Sequence, residues 1–288
     1  MELVDPYGDS ETTHRVVTRL NPRKDWDEVG QIRVENRVVE VVMGYGDRVH
    51  VRLSAETEEL DRIKQRLARA EEGTQLFQTS GPEYYATLLE DRDLVRSLLA
   101  VDPDDSDAWI DRMFNVEEFA VVDGEVWRYW SVPHHSHCRR VNTAGRDPLY
   151  DALVAELAGV PGSALVPAEG LASWGVKSHR YELAWDALRR HETDSERVRR
   201  FELTRLRRVS TVSDRPVLSC DWESSSSASW LDRLARWVLR SESADPPPRV
   251  PFPDSETMGS VLDGLRTLKH DLGYEFTIEG RTSRDDRS

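Results

Sequence analysis

Asp123-Gly124 stands between FAVV and VWRYW, two runs of β-branched and aromatic residues. An Asp-Gly pair accepts the positive φ angles of a two-residue hairpin turn, so this stretch predicts two antiparallel strands in fixed register. Upstream, HRVVTRL, QIRVEN, RVVEVVMGYGD and RVHVRLS are short β-branched runs divided by turn residues, and they are expected to extend the sheet as a meander. Gly44-Tyr45-Gly46-Asp47 reads as one of its hairpin loops, since it lacks the third glycine of a nucleotide-binding loop. From Ala55 to Glu72 the spacing of Leu60, Ile63, Leu67 and Ala70 predicts a helix that covers the meander, with Gly73 ending it. Short helices are expected near 82–100 and 105–114. Residues 1–145 therefore read as an α+β domain with an antiparallel sheet and covering helices.

After residue 145 the pattern turns mostly helical. DPLYDALVAELAG opens with a proline and closes on a glycine, both helix punctuation. Further helices are expected from Pro167 to Trp174, from Ser178 to Arg190, and from the capping-box pattern Thr193-Asp194-Ser195-Glu196 through Val209. RPVLSCDW reads as a strand and SWLDRLARWVLRS as an amphipathic helix. These readings give a mainly helical region over 146–243 and a proline-rich linker over 244–254. A C-terminal helix and strand over 255–288 would pack back on the main body.

Within the helical region, Tyr181, Ala184, Trp185 and Leu188 fall at i, i+3, i+4 and i+7, behind Leu171, Trp174, Gly175 and Val176. From the turn glycine onward, residues 148–210 resemble the winged or tri-helical helix-turn-helix superfamily of DNA-binding proteins. The resemblance implies that Gly175 takes the turn, Val176 packs inward, and Lys177, Ser178, His179 and Arg180 lead a recognition helix ending near Arg190. On the following helix, Arg197, Arg200, Arg207 and Arg208 share one side, where guanidinium groups suit phosphate. Glu182 and Asp186, on the outward side of the first helix, oppose phosphate.

Charge sharpens this reading. The 288 residues carry 53 acidic and 39 basic side chains, a net charge of −14. Residues 171–210 nevertheless hold ten basic and six acidic residues, so this segment is +4 in a chain that is otherwise −18. The competing account is that its arginines pair with carboxylates of the same molecule. Only four of the 39 basic residues are lysines. An acidic, lysine-poor surface is the composition a salt-rich cytoplasm favours, where screening weakens self-repulsion.

The other concentration of chemistry is SVPHHSHCRR. If the strand continues, His135 and His137 face one side at a spacing that lets two imidazoles share a metal, with His134 and Cys138 as further ligands. Zinc or another divalent metal is the one cofactor this cluster suggests, and a metal-dependent hydrolase or nuclease is the reaction class it would support. No phosphate loop, HExxH, paired CxxC or GxSxG elbow occurs, so a non-catalytic protein is favoured over an enzyme.

No apolar run approaches the roughly 18 residues of a membrane span, and the start lacks a signal-peptide pattern. Two distant cysteines fit a reducing compartment, so a cytoplasmic protein without a membrane partner is expected. The leading functional expectation is a DNA-binding transcriptional regulator whose N-terminal region senses a signal or forms a homodimer. Its alternatives are the metal-dependent enzyme and a non-catalytic interaction protein.

Overall fold

The computed structural model of the protein describes residues 12–19, 28–54, 57–70, 77, 81–100, 115–133, 138–192, 197–212, 215–223 and 245–279. They form a mixed α+β structure with three sheets and five helices among the described residues, in two compact units that divide between Ala168 and Glu169. None of these helices is long and apolar enough to cross a membrane.

The first unit is built on an eight-stranded sheet. Its strands are β1 (His14–Thr18), β2 (Arg48–Leu53), β3 (Ala68–Arg69), β4 (Glu83–Thr87), β5 (Val116–Asp123), β6 (Val126–Ser131), β7 (Arg139–Val141) and β8 (Ser163–Pro167), in the spatial order β3-β4-β2-β5-β6-β7-β1-β8. Every pairing is antiparallel. A hairpin joins β5 to β6 where the Asp-Gly pair predicts one, but Asp123 pairs with Val126, so the two-residue turn is Gly124-Glu125, with Gly124 at φ 63°.

The N-terminal meander is not what forms. QIRVEN and RVVEVVM belong to one helix, α1 (Glu28–Met43), which buries Ile32, Val34, Val38, Val39 and Val42. β-branching lowers helix propensity only slightly, whereas the three- and four-residue spacing of these valines lets a helix bury them together. Residues 44–47 are accordingly a helix-to-strand turn. Gly46 is required there, because a Cβ would press on the Val121 side chain and stand 2.9 Å from the Val122 carbonyl oxygen.

The next helix, α2 (Glu58–Arg66), starts at Thr57, whose hydroxyl accepts from the Leu60 amide at 3.2 Å. It stops earlier than expected, since Leu67 is extended and leads into β3. The 82–100 stretch divides into β4 and helix α3 (Leu88–Leu99), while 105–114 lies outside the described residues. DPLYDALVAEL is helix α4 (Asp147–Leu157), with proline in its first turn.

Between α1 and the sheet lies a buried polar network. The Glu35 carboxylate, fully buried, accepts from Ser131 Oγ at 2.8 Å and from Arg139 Nε at 3.1 Å, and Arg139 Nη2 stands 2.9 Å away. Arg139 Nη1 donates to Gln31 Oε1 at 2.9 Å, and Gln31 Nε2 donates to Thr18 Oγ1 at 2.8 Å. One helix is thereby joined to β1, β6 and β7 at a single depth.

The second unit corrects the helical reading of residues after 167. Where helix-turn-helix elements were expected there are strands β9 (Ala172–Val176), β10 (His179–Leu183), β11 (Ala187–Glu192) and β12 (Val198–Glu202), an antiparallel sheet in the order β12-β11-β10-β9. After a short 3-10 turn at Leu203–Arg205 come β13 (Leu206–Thr211), β14 (Val217–Trp222) and β15 (Arg249–Pro251). The C-terminal helix α5 (Ser255–Leu272) and edge strand β16 (Thr277–Glu279) form as expected, with β16 parallel to β13. Side chains from both sheets and α5 surround an apolar centre with about 20 Å³ of free space, lined by residues including Trp174, Leu188, Leu206, Leu218, Val261 and Leu265. Such a water-sized apolar void marks a packed core rather than a ligand pocket.

Removing one member of the Glu35–Arg139 pair leaves a charge buried without its partner. Arg139→Met is expected to lower stability by about 3–5 kcal/mol, and Glu35→Leu added to it is expected to recover most of the loss. Urea-unfolding midpoints decide this, and an unchanged midpoint in Arg139→Met would remove the pair from the account of the fold.

Candidate nucleic-acid interface

Val176 pairs with His179, so only Lys177 and Ser178 remain to turn the chain between β9 and β10. Lys177 does so at φ 53°, in the left-handed region where a side chain is strained and glycine or asparagine is preferred. The sequence thus carries a lysine at the position where turn chemistry would place a smaller residue. Lys177, Ser178 and Arg180 are exposed at this tip.

Alternation sorts the strands into two faces. Trp174, Tyr181, Leu183, Leu188 and Phe201 point to the core, with Trp174 stacked between Tyr181 (centroids 5.5 Å apart) and Phe252 (4.8 Å). Ser173, Gly175, Arg180, Glu182, Arg189, His191, Val198 and Arg200 fall on the opposite face. The residues expected on a recognition helix are therefore split between a turn and two sides of a sheet. His179 tilts against the Tyr181 ring at 6.3 Å, and the Arg190 guanidinium lies 5.8 Å from the Phe201 centroid, both on the core side.

The arginine row is dissolved in the same way, because the helix that would have aligned it does not exist. Arg200, on β12, bridges Asp186 at 2.7 Å and Glu202 at 2.8 Å. Burial works to lower its pKa, but the hydrogen bond it donates to Asp186 and the nearby carboxylates raise it above the ordinary arginine value. Arg207 pairs with Glu223 at 2.6 Å, and Arg208 lies 3.6 Å from Asp221 and 3.7 Å from Glu279. Arg197 precedes β12, its carbonyl accepting from the Glu192 amide at 3.2 Å. On the outer face Arg189 is similarly held by Glu182 at 3.0 Å and Asp186 at 3.9 Å. Lys177 and Arg180 have no ion pair among the described residues, so they are the cations this region presents outward.

Of the expected metal ligands, His134, His135 and His137 lie outside the described residues. Cys138 is buried and its thiol is pushed up by that burial; Cys220, lining the apolar centre, is pushed up to about 12 for the same reason. Neither environment favours the thiolate a metal would need. Among the described residues no group of three or more His, Cys, Asp or Glu side chains is placed to hold a metal ion.

Glu83, Glu118 and Arg140 are buried charges of the first unit that no motif marks in the sequence. His50 Nδ1 lies 2.9 Å from Glu83 Oε1 and its ring stacks on Tyr85, while Trp130 donates to Glu118 at 3.3 Å and lies under the Arg140 guanidinium. One signal was available: a strand reading RVHVRL alternates valine and leucine with arginine and histidine, so its second side had to be polar wherever it went. Comparison with family models, with curated proteins and with solved structures finds no match to this chain.

Lys177→Gly is expected to stabilise the protein by about 0.5–1 kcal/mol, since relief of the left-handed strain exceeds the entropy glycine adds to the unfolded chain. Thermal unfolding reads this, and a lower midpoint would show that Lys177 makes contacts that outweigh its backbone strain. Both thiols are expected to resist a thiol reagent at pH 8 until the protein unfolds, which a colorimetric thiol assay in and out of denaturant would check.

Proposed function

We propose that the protein binds duplex DNA through the β9–β10 hairpin, with the tip residues Lys177, Ser178 and Arg180 contacting the phosphate backbone. The observation that carries this reading is the strained turn. A lysine held at φ 53° costs stability, and its exposed ammonium, beside an exposed arginine, is left without a carboxylate among the described residues. Arg189, Arg200, Arg207 and Arg208 are matched to carboxylates and Arg190 lies over the Phe201 ring, so the tip is where exposed positive charge remains for a polyanion. Strands read DNA in known docking geometries, and the exposed tip of a hairpin at one edge of the sheet presents these side chains outward. The function expected from sequence is thus kept on a different element.

Fluorescence-polarisation titration of labelled duplex DNA, across a salt series reaching into the molar range, tests the proposal. Affinity is expected to fall linearly with log salt, and Lys177→Gly and Arg180→Ala are each expected to reduce the slope by about 0.9. Arg207→Ala, which removes a partner of Glu223 only, is expected to leave affinity within about twofold. Absence of binding at every salt concentration in folded protein, or equal losses in all three variants, would overturn it.

A further inference from the structure

An open sheet has two edges, each a row of backbone N–H and C=O groups that another strand can pair with. Among the described residues the three sheets end in β3 and β8, β12 and β9, and β15 and β16. All but one of these edges are blunted. β3 is two residues long and includes Arg69, and β8 ends in Pro167. β12 carries Arg199, Arg200 and Glu202. β15 is three residues long with Arg249 and Pro251, and β16 is three residues long with Glu279. Shortness, charge and proline are the devices that keep an edge from pairing with another chain. β9 is five residues long, Ala172-Ser173-Trp174-Gly175-Val176, and has neither charge nor proline in a chain that is 32% charged.

Register fixes which backbone groups β9 turns outward. Val176 and His179 flank the two-residue turn as a hydrogen-bonded pair, and bonded pairs alternate, so Trp174–Tyr181 and Ala172–Leu183 are bonded as well. The N–H and C=O of Ser173 and Gly175 therefore point off the edge. No backbone hydrogen bond from another described segment reaches them, and both residues are exposed. Gly175 does not have a positive φ, and nothing lies within 4 Å of where its Cβ would stand. Neither conformation nor crowding within this chain accounts for a glycine that weakens the strand, and such a glycine commonly marks the approach of another backbone.

We infer that β9 is a homodimer interface, at which β9 of a second copy pairs antiparallel about a two-fold axis at Trp174 and joins two four-stranded sheets into one. Self-complementarity selects a second copy as the occupant. Pairing about Trp174 sets Ser173 of each copy opposite Gly175 of the other, so the outward N–H and C=O groups of both strands satisfy one another. The opposed side chains on the outer face are small and uncharged. On the core side Ala172 meets Val176, and both are only half-buried within one copy. Trp174 lies on the axis with its ring already stacked between Tyr181 and Phe252. Two copies of net charge −14 repel each other, and an uncharged strand is where such surfaces can meet. Lys177 and Ser178 lie beyond the paired residues, so this interface does not depend on the DNA reading.

Sedimentation velocity of the full-length protein, from micromolar to millimolar concentration in molar salt that screens the repulsion, tests the inference. A species of twice the mass of one chain is expected to grow in with concentration. Gly175→Pro removes an outward donor from each copy and leaves the bonds to β10 in place, so it should weaken the dimer by about tenfold. Ser173→Lys, which adds charge to the edge without altering the backbone, should weaken it as well. In the unaltered protein, hydrogen exchange at the Ser173 and Gly175 amides should slow as concentration rises through the dimer range, a readout that needs no variant to fold. A monomer at every concentration would overturn the interface. So would a dimer that both folded variants retain, or one whose formation leaves exchange at Ser173 and Gly175 unchanged.

Discussion

The ion pair between Glu35 and Arg139 is the constraint on which the first unit depends. Each group is buried, and neither would be tolerated there alone. Valines could hold α1 against the sheet in several registers, since apolar contact is non-directional. The pair, with Ser131, Gln31 and Thr18 completing its hydrogen bonds, allows one rotation and one depth for α1. That placement in turn sets where α1 meets Gly46 and β2, and so where the sheet can extend toward β4.

The second unit distributes its polar groups in the opposite way. Its interior is apolar and aromatic, with the Trp174 indole nitrogen donating to the Pro251 carbonyl at 3.0 Å, and most of its ion pairs lie on the outer surface of the strands. Three arginines there reach across to a neighbouring strand or turn: Arg189 to β10, Arg200 to the β10–β11 turn, Arg208 to β14 and β16. Exposed pairs of this kind add little stability one at a time. Their larger effect is to remove charge from the surface, so that what remains at the hairpin tip stands out.

The structure shows which sequence signals discriminate. Asp123-Gly124 was decisive because a turn with required φ values permits few alternatives. The α5 helix was legible from the spacing of Met258, Val261, Leu262, Leu265 and Leu268, and the structure adds its punctuation, with Asp254 capping its start through the Thr257 amide and Gly273 closing it at φ 64°. The helix-turn-helix pattern had no such anchor. Tyr181, Ala184, Trp185 and Leu188 satisfy a helical period, but Tyr181 and Leu183 satisfy a strand period equally well, and so short a stretch cannot separate the two. What settled the matter is nonlocal: β10 pairs with β9 on one side and β11 on the other, and the Ala184 amide closes its turn on the Ala187 carbonyl at 2.9 Å. Conversely, α1 was misread because β-branched composition was weighed above spacing. The candidate interface was legible as a stretch, Lys177 to Arg180, and illegible as a shape.

Net charge over a segment proved a poor measure of charge available to a partner. Residues 171–210 carry an excess of +4, yet arginine's planar fork engages two acceptors at once, as Arg200 and Arg208 do here, so each can be neutralised by the acidic surface of its own protein. A composition that replaces lysine by arginine therefore ties cations into the fold as it adds them. Against that background a lysine is informative by its rarity. Of four in the chain, one reaches the Phe276 carbonyl to close the C-terminal turn after α5, and one sits in a strained turn at the end of a hairpin. The first is explained by packing. The second is exposed, costs backbone energy and has no carboxylate among the described residues, which is the physical ground for assigning it to a partner rather than to the fold.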